Sequence, residues 1–181
     1  MLTTDQKGTI AETAIIAKAI QFGLDVYRPI NDGLRWDLLF GLHTAFLRVQ
    51  CKWASRRGDV VVVGTRSARR TREGIVRRTY SRDEIEVIAA YCAELDRIFL
   101  IPPDVFDGHP VVWLRLAPTK NNQQIGIRWA DDFEFGATLG RHAQGAIAQL
   151  GERLSGRQKV AGSSPAGSTR EAAASRLALF E

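Results

Sequence analysis

Residues 47–53 read LRVQCKW, and the fold turns on how this run is read. Its apolar, β-branched and aromatic positions suit a half-buried pleat, which makes it a strand. Side chains two apart on a strand share a face. Gln50 and Lys52 therefore point one way, and the Cys51 thiol points the other. An amide followed by an ammonium on one face asks for a polar object in front of both.

Working outward, RWDLLFGL (35–42) and AFLRVQCKWA (45–54) form two strands around His43 and Thr44, predicted as an antiparallel hairpin. DVVVVGT (59–65) is a third strand, apolar on both faces and so central. Upstream, residues 4–22 carry a helical pattern. Thr3, Thr4 or Asp5 can cap that helix and Gly23 can end it. LDVYRPI (24–30) is a short strand stopped by Pro29, and NDG (31–33) is a turn. Residues 66–82 are expected to be a polar, arginine-rich loop. EVIAAYC and RIFLIPP make another hairpin around AELD, with a helix over residues 83–93 as the competing reading. VVWLRLAP is a further strand. A polar loop from residue 120 then leads to a short amphipathic segment around residues 130–135. One helix followed mainly by strands predicts an α/β or α+β domain with a mixed sheet.

The chain has 181 residues, of which 45% are hydrophobic and 25% charged, enough for one ordinary domain and an appendage. Its net charge of +5 favours a polyanionic partner. Cys51 and Cys92 sit in apolar strand settings, as reduced buried thiols of a cytoplasmic protein would. His43, His109 and His142 lack zinc-ligand spacing. With no apolar run approaching the length of a span and a polar N-terminus, neither a membrane span nor a signal peptide is expected.

If residues 35–42 and 45–54 pair, Asp37 lies near Gln50, Cys51 and Lys52 at one end of the hairpin. Asp37 can then coordinate a divalent metal, with Gln50 and a backbone carbonyl offering neutral oxygens, as Mg²⁺ prefers. Lys52 beside the metal can orient or help deprotonate an attacking water, or offset charge on a phosphorane-like transition state. Gln50 and Lys52 would share a face because both point at one phosphate, while Cys51 faces the core.

At these residues the chain resembles the PD-(D/E)xK nuclease superfamily, and more closely its group I intron-associated homing endonucleases. The blocks that carry the likeness run in order from Lys7 to about Phe135: KGTIAE, GLDVYRPINDGLRWDLLF, RVQCK, AAYCAELDRIFLIP and KNNQQIGIRWADDFE. The resemblance implies a restriction-endonuclease-like fold and a metal-dependent, site-specific double-strand DNA endonuclease. By position it makes Glu12, Asp37, Gln50 and Lys52 the active site, with Glu12, Asp37 and Gln50 as metal ligands. Mg²⁺ is the implied cofactor, with Mn²⁺ as a substitute. Two departures stand out. Gln50 replaces the usual carboxylate of the third motif, and Pro29 lies well ahead of Asp37 rather than beside it. A Holliday-junction resolvase or restriction-like nuclease on the same scaffold is one alternative, and an inactive DNA-binding protein another.

DNA contacts are expected from Lys7 and from the arginine-rich stretch, through Arg56, Arg57, Arg66, Arg69, Arg70, Arg72, Arg77 and Arg78. Arginine suits bidentate contact to phosphate or guanine. Lys120, Asn121, Asn122 and Gln123 complete the set, since amides can read adenine edges or bond to phosphates. Cutting both strands of a duplex calls for two active sites, so a homodimer or homotetramer acting inside the cell is expected.

From Gly145 the character changes to GAIAQLGERLSGRQKVAGSSPAGSTR, rich in Gly, Ser and Ala and without aromatics. The run is also similar to a transfer RNA gene read in the coding direction. Codons can be chosen for residues 148–153 that match a D-arm and for 161–166 that form a stem and loop, and codons chosen for the ends can pair as an acceptor stem. The predicted organisation is an endonuclease domain over residues 1–142 and a tail over 143–181, disordered or loosely helical, read from a neighbouring tRNA gene.

Overall fold

A computed structural model describes residues 1–31, 33–42, 45–119 and 125–140. The chain divides into two units, Met1–Ile147 and Ala148–Glu181, and the described residues all lie in the first. The tail and the 142/143 boundary fall outside them.

The first helix, α1, spans Thr4–Gln21. Thr3 caps it: its hydroxyl accepts the Gln6 N–H while the Gln6 side chain accepts the Thr3 N–H, which satisfies two orphan donors reciprocally. Gly23, at φ +72°, turns the chain out of the helix in a conformation that disfavours a side chain. The following strands are β1 (Asp25–Tyr27), β2 (Leu38–Gly41), β3 (Phe46–Arg57), β4 (Val60–Gly64), β5 (Arg66–Thr71), β6 (Gly74–Thr79), β7 (Val87–Cys92) and β8 (Arg97–Ile101). A single-turn helix, α2 (Pro103–Phe106), leads to β9 (Val111–Arg115), and a 3-10 turn covers Ala130–Phe133.

The main sheet is mixed, as expected. β3 pairs antiparallel with β2 and β4 but parallel with β7, while β1, β8 and β9 add antiparallel neighbours. Alternation along β3 sets the two cores. Leu47, Val49 and Cys51 pack with Ile15 and Ala19 of α1 and with Phe135 and Leu139. Ala54 faces the opposite cluster, with Tyr80, Ile85, Phe99, Phe106 and Phe133. One face of the sheet is thus covered by α1 and the other by the chain around α2 and the 3-10 turn.

Two expectations need correction. Residues 66–82 are not a loop: β5 and β6 form a separate two-stranded hairpin, with Arg66 opposite Thr79 and Thr71 opposite Gly74. Gly74, at φ +129°, supplies the turn, and the Thr71 hydroxyl donates to its carbonyl at 3.0 Å. The arginines hid a strand pattern because neither face of the hairpin is covered: Ile75 and Val76 are exposed. The second correction concerns β4. It is interior to the sheet, but only Val61 and Val63 are fully buried, while Val60 and Val62 are partly open. Val87–Cys92 is strand, not the competing helix. In the amphipathic segment, Ala130 and Phe133 are buried and Asp131 and Asp132 exposed.

Candidate active site

The pairing of β3 explains where the candidate residues meet. Val49 pairs with both Leu38 of β2 and Val87 of β7, so β2 and β7 lie on opposite edges of β3. Ala54 pairs with both Val63 of β4 and Cys92 of β7, so β4 also lies opposite β7. β2 and β4 therefore share one edge of β3, and residues 50–53 face the fork between them. Backbone donors in such a gap must find another acceptor.

Asp37, one residue ahead of β2, supplies it. Its N–H donates to the Val49 carbonyl at 2.8 Å, continuing the β2–β3 ladder. Its Oδ2 then accepts the Cys51 N–H at 2.8 Å and the Gln50 side-chain amide. The carboxylate is therefore locked at the fork by the strand that carries Gln50 and Lys52. Burial raises its pKa above the ordinary value, against the lowering effect of the Cys51 N–H, Lys52 and Gln50.

Gln50 is 7% exposed and Lys52 half-buried, on the face opposite Cys51. The Lys52 Nζ donates to the Tyr80 hydroxyl at 3.1 Å and to the Arg66 carbonyl at 3.3 Å. Desolvation lowers its pKa, Asp37 works to raise it, and Arg35 lowers it further. A lysine so placed gives up its proton more readily than an exposed one. The Cys51 thiol is buried, and desolvation with the negative field of Asp37 pushes its pKa well up, as expected of an inert core thiol.

Glu12 arrives from α1. It lines a cleft of about 170 Å³ together with Arg28, Pro29, Asn31, Gly33, Leu34, Trp36 and Asp37. Arg28 pairs with it at 2.6 Å. Burial first and the Asp37 charge second raise the Glu12 pKa, and Arg28 opposes them. Two carboxylates of raised pKa sharing one polar cleft form an arrangement that a cation relieves. Among the described residues no three of His, Cys, Asp and Glu gather as a metal cage. Two acids, an amide and a backbone carbonyl instead suit a hard divalent ion that keeps several of its waters.

Three residues of the site were not singled out in the sequence: Arg28, Arg35 and Tyr80. Arg35 donates to the Ser67 hydroxyl at 2.6 Å, the Thr79 carbonyl at 2.8 Å and Glu84 at 3.0 Å, and stacks over Tyr80 at 4.2 Å. Arg28 and Arg35 are arginines flanking a turn, and only tertiary contact marks them out.

The basic candidates spread more widely. Arg66, Arg72, Arg77 and Arg78 are exposed on the β5–β6 hairpin, and Arg78 pairs with Glu84 at 2.5 Å. Arg69 and Arg70 hold backbone register in β5 opposite Val76 and Ile75. Arg56 and Arg57 are exposed at the end of β3. Lys7 lies over the Trp53 ring at 5.7 Å, on the sheet face opposite Lys52. Lys120, Asn121, Asn122 and Gln123 fall outside the described residues.

A strand fork that holds an aspartate against a Gln-x-Lys strand, with a glutamate from the preceding helix, is an arrangement compatible with a nuclease-type site. Residues 2–136 match the family model described as PD-(D/E)XK endonuclease, and the chain belongs to that family. It is a DNA endonuclease. Among solved structures it is similar to one titled "The structure of a bacterial homing endonuclease: I-Ssp6803I", with 29% identity and a TM-score of 0.64. That match covers 82% of this chain and 99% of the other. No curated protein matches the chain. Nucleases of this family generally use divalent metal ions. Among the described residues no helix is long and apolar enough to cross a membrane.

Proposed function

We propose that the chain is a Mg²⁺-dependent, site-specific double-strand DNA endonuclease of homing type, with Mn²⁺ able to substitute. The supporting observation is the fork in the sheet, where Asp37 is bonded to Gln50 and Cys51 and shares a cleft with Glu12. Glu12, Asp37 and Gln50 would hold the ion, which supplies Lewis-acid polarisation of the scissile phosphate and an acidified water. Lys52 would face that phosphate from the same side as Gln50, orient the attacking water and offset charge developing on the phosphate oxygens. Its lowered pKa suits it to proton transfer as well.

The β5–β6 hairpin and the end of β3 would track the DNA backbone. An uncovered two-stranded hairpin gains little from its own packing, so its cluster of arginines is best explained by a polyanion that lies against it. A duplex cut on both strands needs a second copy of the site, so we infer a homodimer or homotetramer.

The test is cleavage of linear duplex, four-way junction and supercoiled plasmid DNA, with Mg²⁺ and with chelator. The expected result is discrete, metal-dependent cutting of duplex at defined positions. Preference for the junction would identify a resolvase. Binding without cutting would identify a DNA-binding protein that has lost activity.

A further inference from the structure

We propose that Tyr80 is a positioning residue for Lys52, and that through it the arginine hairpin sets where the Lys52 ammonium lies. This rests on the reading of Lys52 as the group that faces the scissile phosphate. The Lys52 Nζ has two protein acceptors. One is the carbonyl of Arg66, the first residue of β5, and the other is the hydroxyl of Tyr80, the residue that follows β6. Lys52 is thus tied to both roots of one hairpin, whose exposed strands and turn carry Arg66, Arg72, Arg77 and Arg78.

Tyr80 is held for this role. It is 3% exposed and belongs to the apolar cluster below the fork. Its ring is flanked by the Arg35 guanidinium at 4.2 Å and by the Lys52 Nζ at 4.9 Å. Arg35 in turn bonds Ser67 on β5, Thr79 on β6 and Glu84 beyond them. Ser67 closes the set by donating across the hairpin to the Arg78 carbonyl at 3.2 Å. A shift of the hairpin roots therefore moves the acceptors of Lys52 together with the clamp on Tyr80. Burial holds the Tyr80 pKa up at about 12, so its hydroxyl stays neutral and accepts from Lys52 whenever the lysine is an ammonium. The physical requirement is strict, because a flexible lysine left to wander by an ångström from a reacting phosphate loses much of its effect.

The experiment is single-turnover cleavage, at saturating enzyme, of a plasmid that the wild-type chain cuts, comparing wild type, Tyr80→Phe and Lys52→Ala. Tyr80→Phe keeps the ring and its packing and removes only the hydroxyl. Its rate should fall between about tenfold and a hundredfold. Its DNA affinity in Ca²⁺ should stay within about twofold, and its melting temperature within about 2 °C. A merely structural role would instead lower stability or affinity along with the rate. A second variant, Ser67→Ala, loosens the Arg35 clamp and removes a hydrogen-bond partner of the Tyr80 hydroxyl without touching Lys52, and should also slow cleavage at unchanged affinity. If Lys52→Ala is inactive while Tyr80→Phe cuts at the wild-type rate, the positioning role is overturned and the reading of Lys52 stands. If Lys52→Ala cuts like wild type, both fall.

Discussion

Asp37 and Cys51 are joined across the fork of the sheet: the Asp37 Oδ2 accepts the Cys51 N–H at 2.8 Å where neither β2 nor β4 reaches β3. The carboxylate therefore does structural work with one oxygen, and its other oxygen is the one the proposed site offers to a cation. The substitution Asp37→Asn keeps an oxygen acceptor for the Cys51 N–H and removes the charge. Folding should persist, while metal-dependent cleavage falls by at least about a hundredfold. Circular dichroism and plasmid cutting with Mg²⁺ check the two halves. Wild-type cutting by this variant would remove Asp37 from the site.

The two acids make a pH-dependent cost. Burial raises the pKa of Asp37 and of Glu12 above ordinary values of 3.8 and 4.5. A raised folded-state pKa contributes stability that is fully present below the unfolded value and is lost as pH rises through the folded one. Ionising either carboxylate in the folded chain without metal therefore carries a penalty that grows as pH rises. The double variant Glu12→Gln/Asp37→Asn should melt roughly 2–4 °C above wild type at pH 7 in chelator. The gap should close toward pH 4, and Mg²⁺ should raise the wild type alone. Thermal unfolding across pH, with and without Mg²⁺, measures this.

The arginines of the hairpin and of the chain just after it separate into two groups. Arg72 and Arg77 are exposed, whereas Arg78 pairs with Glu84 at 2.5 Å and Arg82 with Asp107 at 3.1 Å. Replacing Arg72 and Arg77 with Ala should make the slope of log affinity against log salt shallower by about 2, since each lost phosphate contact removes about 0.9. Arg82→Ala should change that slope little. Fluorescence titrations in Ca²⁺ over a salt series give both numbers, and an unchanged slope in the double variant would mean the hairpin does not follow the backbone.

Much of the fold was legible because the period of β3 and its neighbours is strict. Gln50 and Lys52 share a face and Cys51 is buried under α1, as the alternation in residues 47–53 requires. The burial of the thiol follows from that alternation, but the parallel partner β7 and the fork do not. Nothing local to Asp37 says that β2 and β4 leave a gap on the same edge of β3. The hairpin was missed for the opposite reason, since its strands are neither alternating nor covered. Tyr80 and Arg35 were missed because their partners lie far along the chain, Arg35 reaching Thr79 and Glu84.

A chain ending at His142 should fold and cut as the full chain does. The described sheet, the fork and the hairpin all lie within residues 1–140. Residues 143–168 hold few large apolar side chains, so burying them could offset little of the entropy lost in ordering them. Melting temperature and cleavage rate of the two lengths, measured in parallel, check this. A large drop in either would show that the tail has been recruited.

The central claim is that Lys52 acts on the transition state at a metal-dependent site. The most direct test is the single-turnover cleavage rate of Lys52→Ala against wild type in Mg²⁺, with DNA affinity taken in Ca²⁺. The expected result is a rate loss of at least about a hundredfold at affinity within a few-fold of wild type. Cleavage by Lys52→Ala within tenfold of wild type, or wild-type cleavage that persists in chelator, would contradict it.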